Sequence, residues 1–165
     1  ALQTESWDQM SKPKASRRAG LAKEFQDNVD SVLAMLEKVS SALTAAVTHN
    51  DPVIDQLLVI KQMAWLMRNT AGEASLIISN GLTAGKVSPE VVLAYNKLVG
   101  GVEAAWKAVQ LATSGMDLSP ALAAAMSNTE KAYFTPDYAG LRERLLAALQ
   151  KGEKPELTPY QWSPF

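Results

Sequence analysis

Between residues 50 and 150 of this chain a capping side chain stands directly before a proline four times, at Asp51-Pro52, Ser88-Pro89, Ser119-Pro120 and Thr135-Pro136. An Asp, Ser or Thr oxygen accepts hydrogen bonds from the open N–H groups of a first helical turn. Proline fits the first helical position because its missing N–H would have no partner there. Each pair is followed by apolar residues at helical spacing, and no period-two run reads as a strand. The punctuation therefore divides the chain into helices and predicts an all-α fold: an elongated helical bundle with long antiparallel helices plus two shorter helices.

The first long helix is expected from about 15 to 48, after Pro13 ends any earlier turn. Its seam, Leu21, Phe25, Val29, Val32, Leu36, Val39, Leu43 and Ala46, alternates steps of four and three, the narrow stripe of a bundle or coiled-coil helix. The second opens after Asp51 and fades between Gly81 and Gly85. The third runs from Ser88 to Gly115, with Val91, Tyr95, Leu98, Val102, Ala105, Val109 and Ala112 as its seam. Two shorter helices are expected over 120–132 and 136–151, the latter stopped by Gly152. At 165 residues, the size prior gives a single domain over 1–165.

The second helix carries the most suggestive local pattern. Leu57, Ile60, Ala64, Met67, Ala71, Ala74 and Ile78 form one apolar seam, and Lys61, Arg68 and Ser75 follow its edge every seventh residue. A guanidinium at a core edge needs an anionic or hydrogen-bonding partner. Gly72, one turn on, costs about 1 kcal/mol of helix propensity relative to alanine, which suggests that it is there for space. A cation beside a gap between helices is a place for a small anion. The plain alternative is that Arg68 pairs with a glutamate on the next helix or reaches out to water.

The short link between the second and third helices makes them antiparallel neighbours. Folding that hairpin about 85–87 sets Gly72 opposite Gly100-Gly101 and Arg68 near Glu103 and Ala104, with Trp106 half a turn away and Trp65 flanking. Either the helices approach closely at the glycines, or a pocket opens among Trp65, Arg68, Tyr95 and Trp106. Glu103 is the internal partner that competes with a ligand for Arg68. Tyr133, Phe134 and Tyr138 cluster at the bend between the two short helices, either as a plug for one end of the bundle or as a place for an aromatic ligand.

Composition narrows the functions available. With 47% hydrophobic and 20% charged residues and a net charge of −1, the chain lacks the basic field of a general nucleic-acid binder. The short basic cluster of Lys12, Lys14, Arg17 and Arg18 reads as a solvated face. There is no cysteine, which excludes disulfides and thiolate chemistry. The one histidine, His49, lies at an expected helix end, where a partly protonated imidazole is favoured; alone it makes no multi-histidine metal or haem pocket. No phosphate loop, G-x-S-x-G or H-E-x-x-H is present. No nucleophile–base pair can be assembled, so the chain is not expected to be an enzyme, and no cofactor is expected.

The ends carry their own signals. No apolar run approaches the 18 residues of a membrane span, and no signal peptide opens the chain. Near the other end, Thr158-Pro159 and Ser163-Pro164 announce helices with little sequence after them. That pattern reads as a domain excised from a longer protein.

A long first helix, a D-P start, and then K-x-x-A-W-L-M-R-x-x-A-G-E over Lys61–Glu73 resemble the periplasmic sensor domains of bacterial methyl-accepting chemotaxis proteins. Related helical sensors front some histidine kinases and cyclases. The resemblance spans the chain as an architecture. Its most specific part, R-x-x-A-G-E over Arg68–Glu73, also looks like the arginine-and-glutamate helix of nitrate-sensing-type domains.

The resemblance implies a periplasmic domain of a membrane-anchored inner-membrane receptor, usually a homodimer through its long helices. Such a domain binds a small ligand, an organic acid or other anion, and passes a small helix displacement across the membrane. Arg68 and Asn69 would hold the anion beside Gly72, with Trp65 and Trp106 as apolar walls. The chain lacks the distal helix that usually completes these bundles, a place left to the two short helices or to a partner chain. The alternative is a helical protein–protein interaction or adaptor domain with an exposed apolar stripe and no small-molecule site.

Overall fold

The computed structural model describes residues 2–163 and is all-α, with no strand among them. Its helices are α1 (Leu2–Met10), α2 (Leu21–Val47), α3 (Pro52–Ala84), α4 (Pro89–Thr113), α5 (Pro120–Tyr133), α6 (Pro136–Lys151) and α7 (Pro159–Trp162), with a 3-10 turn at Lys14–Ser16. The capping pairs act as expected. Asp51 Oδ1 accepts from the N–H groups of Val53 at 2.7 Å and Ile54 at 3.2 Å. Ser88, Ser119 and Thr135 cap α4, α5 and α6 in the same manner.

The chain divides into two compact units, residues 1–55 and 56–165. In the first, the long helix starts at Leu21, later than expected. Gly20 adopts φ +77°, a left-handed backbone that cannot propagate a right-handed helix. The residues before it fold back as α1, and Arg18 ties the two helices by ion pairs to Glu5 at 2.7 Å and Glu24 at 2.8 Å. Lys12 pairs with Asp8 at 2.7 Å, and Arg17 donates to the carbonyls of Lys12 and Met10 at 2.9 and 3.1 Å, all on the solvent-facing surface. Leu21 is buried, but the rest of the anticipated seam is largely open: Val32, Leu36, Val39 and Leu43 are 53–64% exposed. His49 takes φ +68° after α2, and its N–H donates to the Asp55 carboxylate while the imidazole projects into solvent.

In the second unit the α3 and α4 seams are buried or half-buried along most of their length, except at their first residues, Leu57 and Val91, which are exposed. Helix α3 runs on through Gly81, which is buried, and ends before Gly85 at φ +72°. One core cluster joins Ala74, Ile78 and Leu82 of α3, Tyr95 of α4, Leu145, Leu146 and Leu149 of α6, and Trp162 of α7. A second gathers Ile60, Trp106 and Val109 with Met63, Met67, Met116, Met126 and Phe134. The short helices thus complete the bundle: α6 lies against α3 and α4, and the Val87 N–H donates to the Leu149 carbonyl at 3.2 Å. Thr158 and Gln161 close a reciprocal capping box around the single turn of α7. The Ser163-Pro164 signal extends beyond the described residues.

Candidate anion site

Helix α6 places Tyr138, Arg142, Leu145 and Leu149 on one stripe, at steps of four, three and four. Three of these are apolar or aromatic, so the arginine enters the core with its neighbours. Arg142 is only 7% exposed, and among the described residues no other charged side chain is buried. Its guanidinium carbon lies 4.4 Å from the Tyr133 ring centre and 4.8 Å from that of Tyr138.

Aromatic faces stabilise a cation lying over them, by up to about 2 kcal/mol when desolvated. Nε and Nη1 of Arg142 are both shut from solvent without a hydrogen-bond partner, as are the hydroxyls of Tyr95 and Tyr133. No carboxylate forms an ion pair with Arg142 among the described residues.

The phenols register this environment. Burial pushes Tyr95 up to about 12 against the pull of the Arg142 charge. Tyr133 and Tyr138 are also raised, chiefly by burial and again against Arg142. All three are therefore neutral near pH 7. An interior cation, two unsatisfied N–H-bearing nitrogens and two neutral hydroxyls form a buried polar cluster rich in donors and without an anionic partner among the described residues.

Aromatic packing extends from this cluster in both directions. Tyr133 meets Phe134 edge-on at 5.0 Å, and Phe134 stacks on Trp106 at 5.4 Å. Tyr133 also meets Tyr138 edge-on at 5.6 Å, and Tyr138 stacks on Trp162 at 6.0 Å. The trio at the α5–α6 bend thus belongs to a packed aromatic series, with Arg142 inserted against it.

The seven residues singled out from sequence do not converge on one site. Trp65, Arg68 and Asn69 make a local group on α3, with Arg68 5.7 Å from the Trp65 ring centre and donating to Asn69 Oδ1 at 3.3 Å. Arg68 is exposed, and no ion pair joins it to Glu103, which is exposed too. Gly72 faces open space, with no heavy atom within 4 Å of where a Cβ would stand; the same holds for Gly100. The close approach occurs at Gly101, where that position is 3.3 Å from Thr70 Cγ2. Trp106 is a core residue stacked on Phe134, and Tyr95 lies in the other core cluster. Eleven residues of helix separate them, about 16 Å. Of the seven, Tyr95 alone enters the cluster around Arg142.

An open groove of about 560 Å³ lies at the α3–α4 turn, lined by Ile77, Asn80, Gly81, Lys86, Val87 and Val91 among others; none of the seven lines it. Among the described residues, no cluster of histidine and carboxylate side chains could hold a metal ion, and no helix is long and apolar enough to cross a membrane. No protein-family model matches the chain, and no curated protein or solved structure matches it.

Proposed function

We propose that this chain is the small-molecule sensing domain of a signal-transduction receptor, an extracytoplasmic helical module that takes an anionic ligand into its bundle. The observation that supports ligand binding is Arg142, a buried cation whose Nε and Nη1 have no hydrogen-bond partner and which no carboxylate pairs among the described residues. An uncompensated buried charge costs several kcal/mol, and an anion would offset that cost. The sensory role and extracytoplasmic placement rest on the resemblance at Lys61–Glu73. Binding would shift helix packing only through a difference in affinity between two arrangements of the bundle. Helix α6 is suited to that role because it carries Arg142 and packs against both α3 and α4.

A thermal-shift panel of organic acids, nitrate and amino acids tests this reading on the wild type, Arg142→Met and Arg68→Ala. A ligand-dependent rise lost in Arg142→Met is expected, with Arg68→Ala behaving as wild type. Loss in Arg68→Ala alone would move the site to the outer face of α3. No rise with any compound would overturn the reading.

The open stripe of α2 favours the second reading, a helical interaction module. Val32, Leu36, Val39 and Leu43 form a contiguous apolar line exposed to water, which marks protein-contact surfaces more often than free ones. Sedimentation velocity on the wild type and on a Leu36→Lys, Leu43→Lys double variant tests it. Self-association abolished in the variant would support an interface there.

A further inference from the structure

We infer that the interior site at Arg142 takes a small monoanion, held by the guanidinium N–H groups and by the hydroxyls of Tyr95 and Tyr133. The inference rests on the ligand-binding reading above and adds the charge and size of the ligand.

Charge balance sets the first limit. Arg142 is the one buried charge among the described residues, so a single negative charge neutralises the interior. A dianion would leave one negative charge buried without a partner, and that costs several kcal/mol. Hydrogen-bonding capacity sets the second. The unsatisfied groups are two guanidinium nitrogens and two phenol oxygens, all able to donate. An ammonium group would meet these donors and the guanidinium charge, which disfavours a zwitterionic amino acid.

Enclosure sets the third limit. All four unsatisfied atoms are closed to solvent, with the rings of Tyr133 and Tyr138 against the guanidinium. Such a setting suits nitrate, chloride, or the carboxylate of formate or acetate. Their shared chemistry is one negative charge on a compact acceptor.

The test titrates the 165-residue chain, in a buffer whose only anion is bulky, with sodium formate, acetate, nitrate and chloride. Succinate, sulfate and glycine are run in parallel at matched ionic strength, and Tm is followed by circular dichroism. A saturable rise is expected with at least one monoanion and with none of the other three. Arg142→Met should abolish it; this variant removes the buried charge and leaves an apolar chain of similar length, a change that buried ion sites tolerate.

Tyr133→Phe and Tyr95→Phe keep the rings and should each weaken binding about tenfold, the scale of one hydrogen bond to a charged group. They carry the test if Arg142→Met fails to fold. A response confined to formate and acetate identifies a carboxylate; one confined to nitrate or chloride identifies an inorganic ion; either upholds the inference. A rise with succinate, sulfate or glycine alone, lost in Arg142→Met, overturns the monoanion and leaves the sensor reading standing. A saturable rise unchanged in Arg142→Met places the site elsewhere and overturns the inference alone. No saturable rise with any compound overturns both.

Discussion

Trp162 lies flat against Tyr138, with ring centres 6.0 Å apart and planes within 6°. Its indole N–H donates to the Ser75 carbonyl at 3.2 Å and to the Ser75 hydroxyl at 3.1 Å, across 87 residues of sequence. One side chain from a single-turn helix therefore binds α7 to both α6 and α3.

That placement makes Trp162 a major core residue despite its position near the end of the sequence. At 2% exposure, Trp162→Ala should destabilise the chain by about 3–5 kcal/mol, as expected for truncating a buried aromatic. Urea unfolding followed by circular dichroism measures it. A loss under about 1 kcal/mol, the range of surface substitutions, would mean that α7 is not part of the cooperative core.

Two glycines of α3 should respond to alanine with opposite signs. At Gly81 a Cβ would stand 2.6 Å from Val87 Cγ1 and 3.0 Å from Leu149 Cδ1, so these two side chains, packed in the α3–α6 contact, would have to shift. Gly81→Ala should cost about 1–3 kcal/mol through overpacking. At Gly72 nothing lies within 4 Å, and Gly72→Ala should raise stability by about 1 kcal/mol through helix propensity. Parallel denaturation curves check both.

The Ser88 cap has two measurable consequences. Its hydroxyl accepts from the Val91 N–H, and Ser88→Ala should destabilise α4 by about 1 kcal/mol. The same hydroxyl, two residues before Glu90, is the main cause of the lowered pKa of the Glu90 carboxylate. In the variant, carbon-detected NMR titration should show Glu90 moving back up toward the ordinary glutamate range.

Alkaline pH should weaken the fold through its buried phenols. In the unfolded chain Tyr95 loses its proton near the ordinary value of 10.0, whereas burial holds it in the folded chain to about 12. Below 10 both states are protonated and stability is intact. Between these values the unfolded state gives up a proton that the native state retains, so stability falls as pH rises. Tm should drop over that window, and Tyr95→Phe should lessen the drop. An identical alkaline profile in the variant would show that the Tyr95 hydroxyl is not buried in the folded chain.

The sites that sequence patterning brought out and missed are both instructive. Arg68 drew attention because its helix is long and its seam unambiguous, yet its side chain is exposed and lies near Trp65 and Asn69 on its own helix. Arg142 drew none, although it occupies a stripe position between Tyr138 and Leu145 where an apolar residue is the rule. A charged residue on the stripe itself, rather than beside it, was the available signal. The N-terminal helix was missed for a related reason: α1 contributes no buried residue, so it leaves no apolar stripe to read.

Amino-acid order alone determined the all-α class, the starts of α3, α4, α5 and α6, and the main apolar faces of α3 and α4. Capping, proline geometry and helical periodicity act within a few residues of one another, so their effects can be read locally. Tertiary structure decided which cation is inside and which glycine is crowded. It also sealed Trp162 into the core. Those outcomes depend on what lies across each helix, at a rotation and register set by many distant side chains packing together. A helix face is a local property; its burial is not.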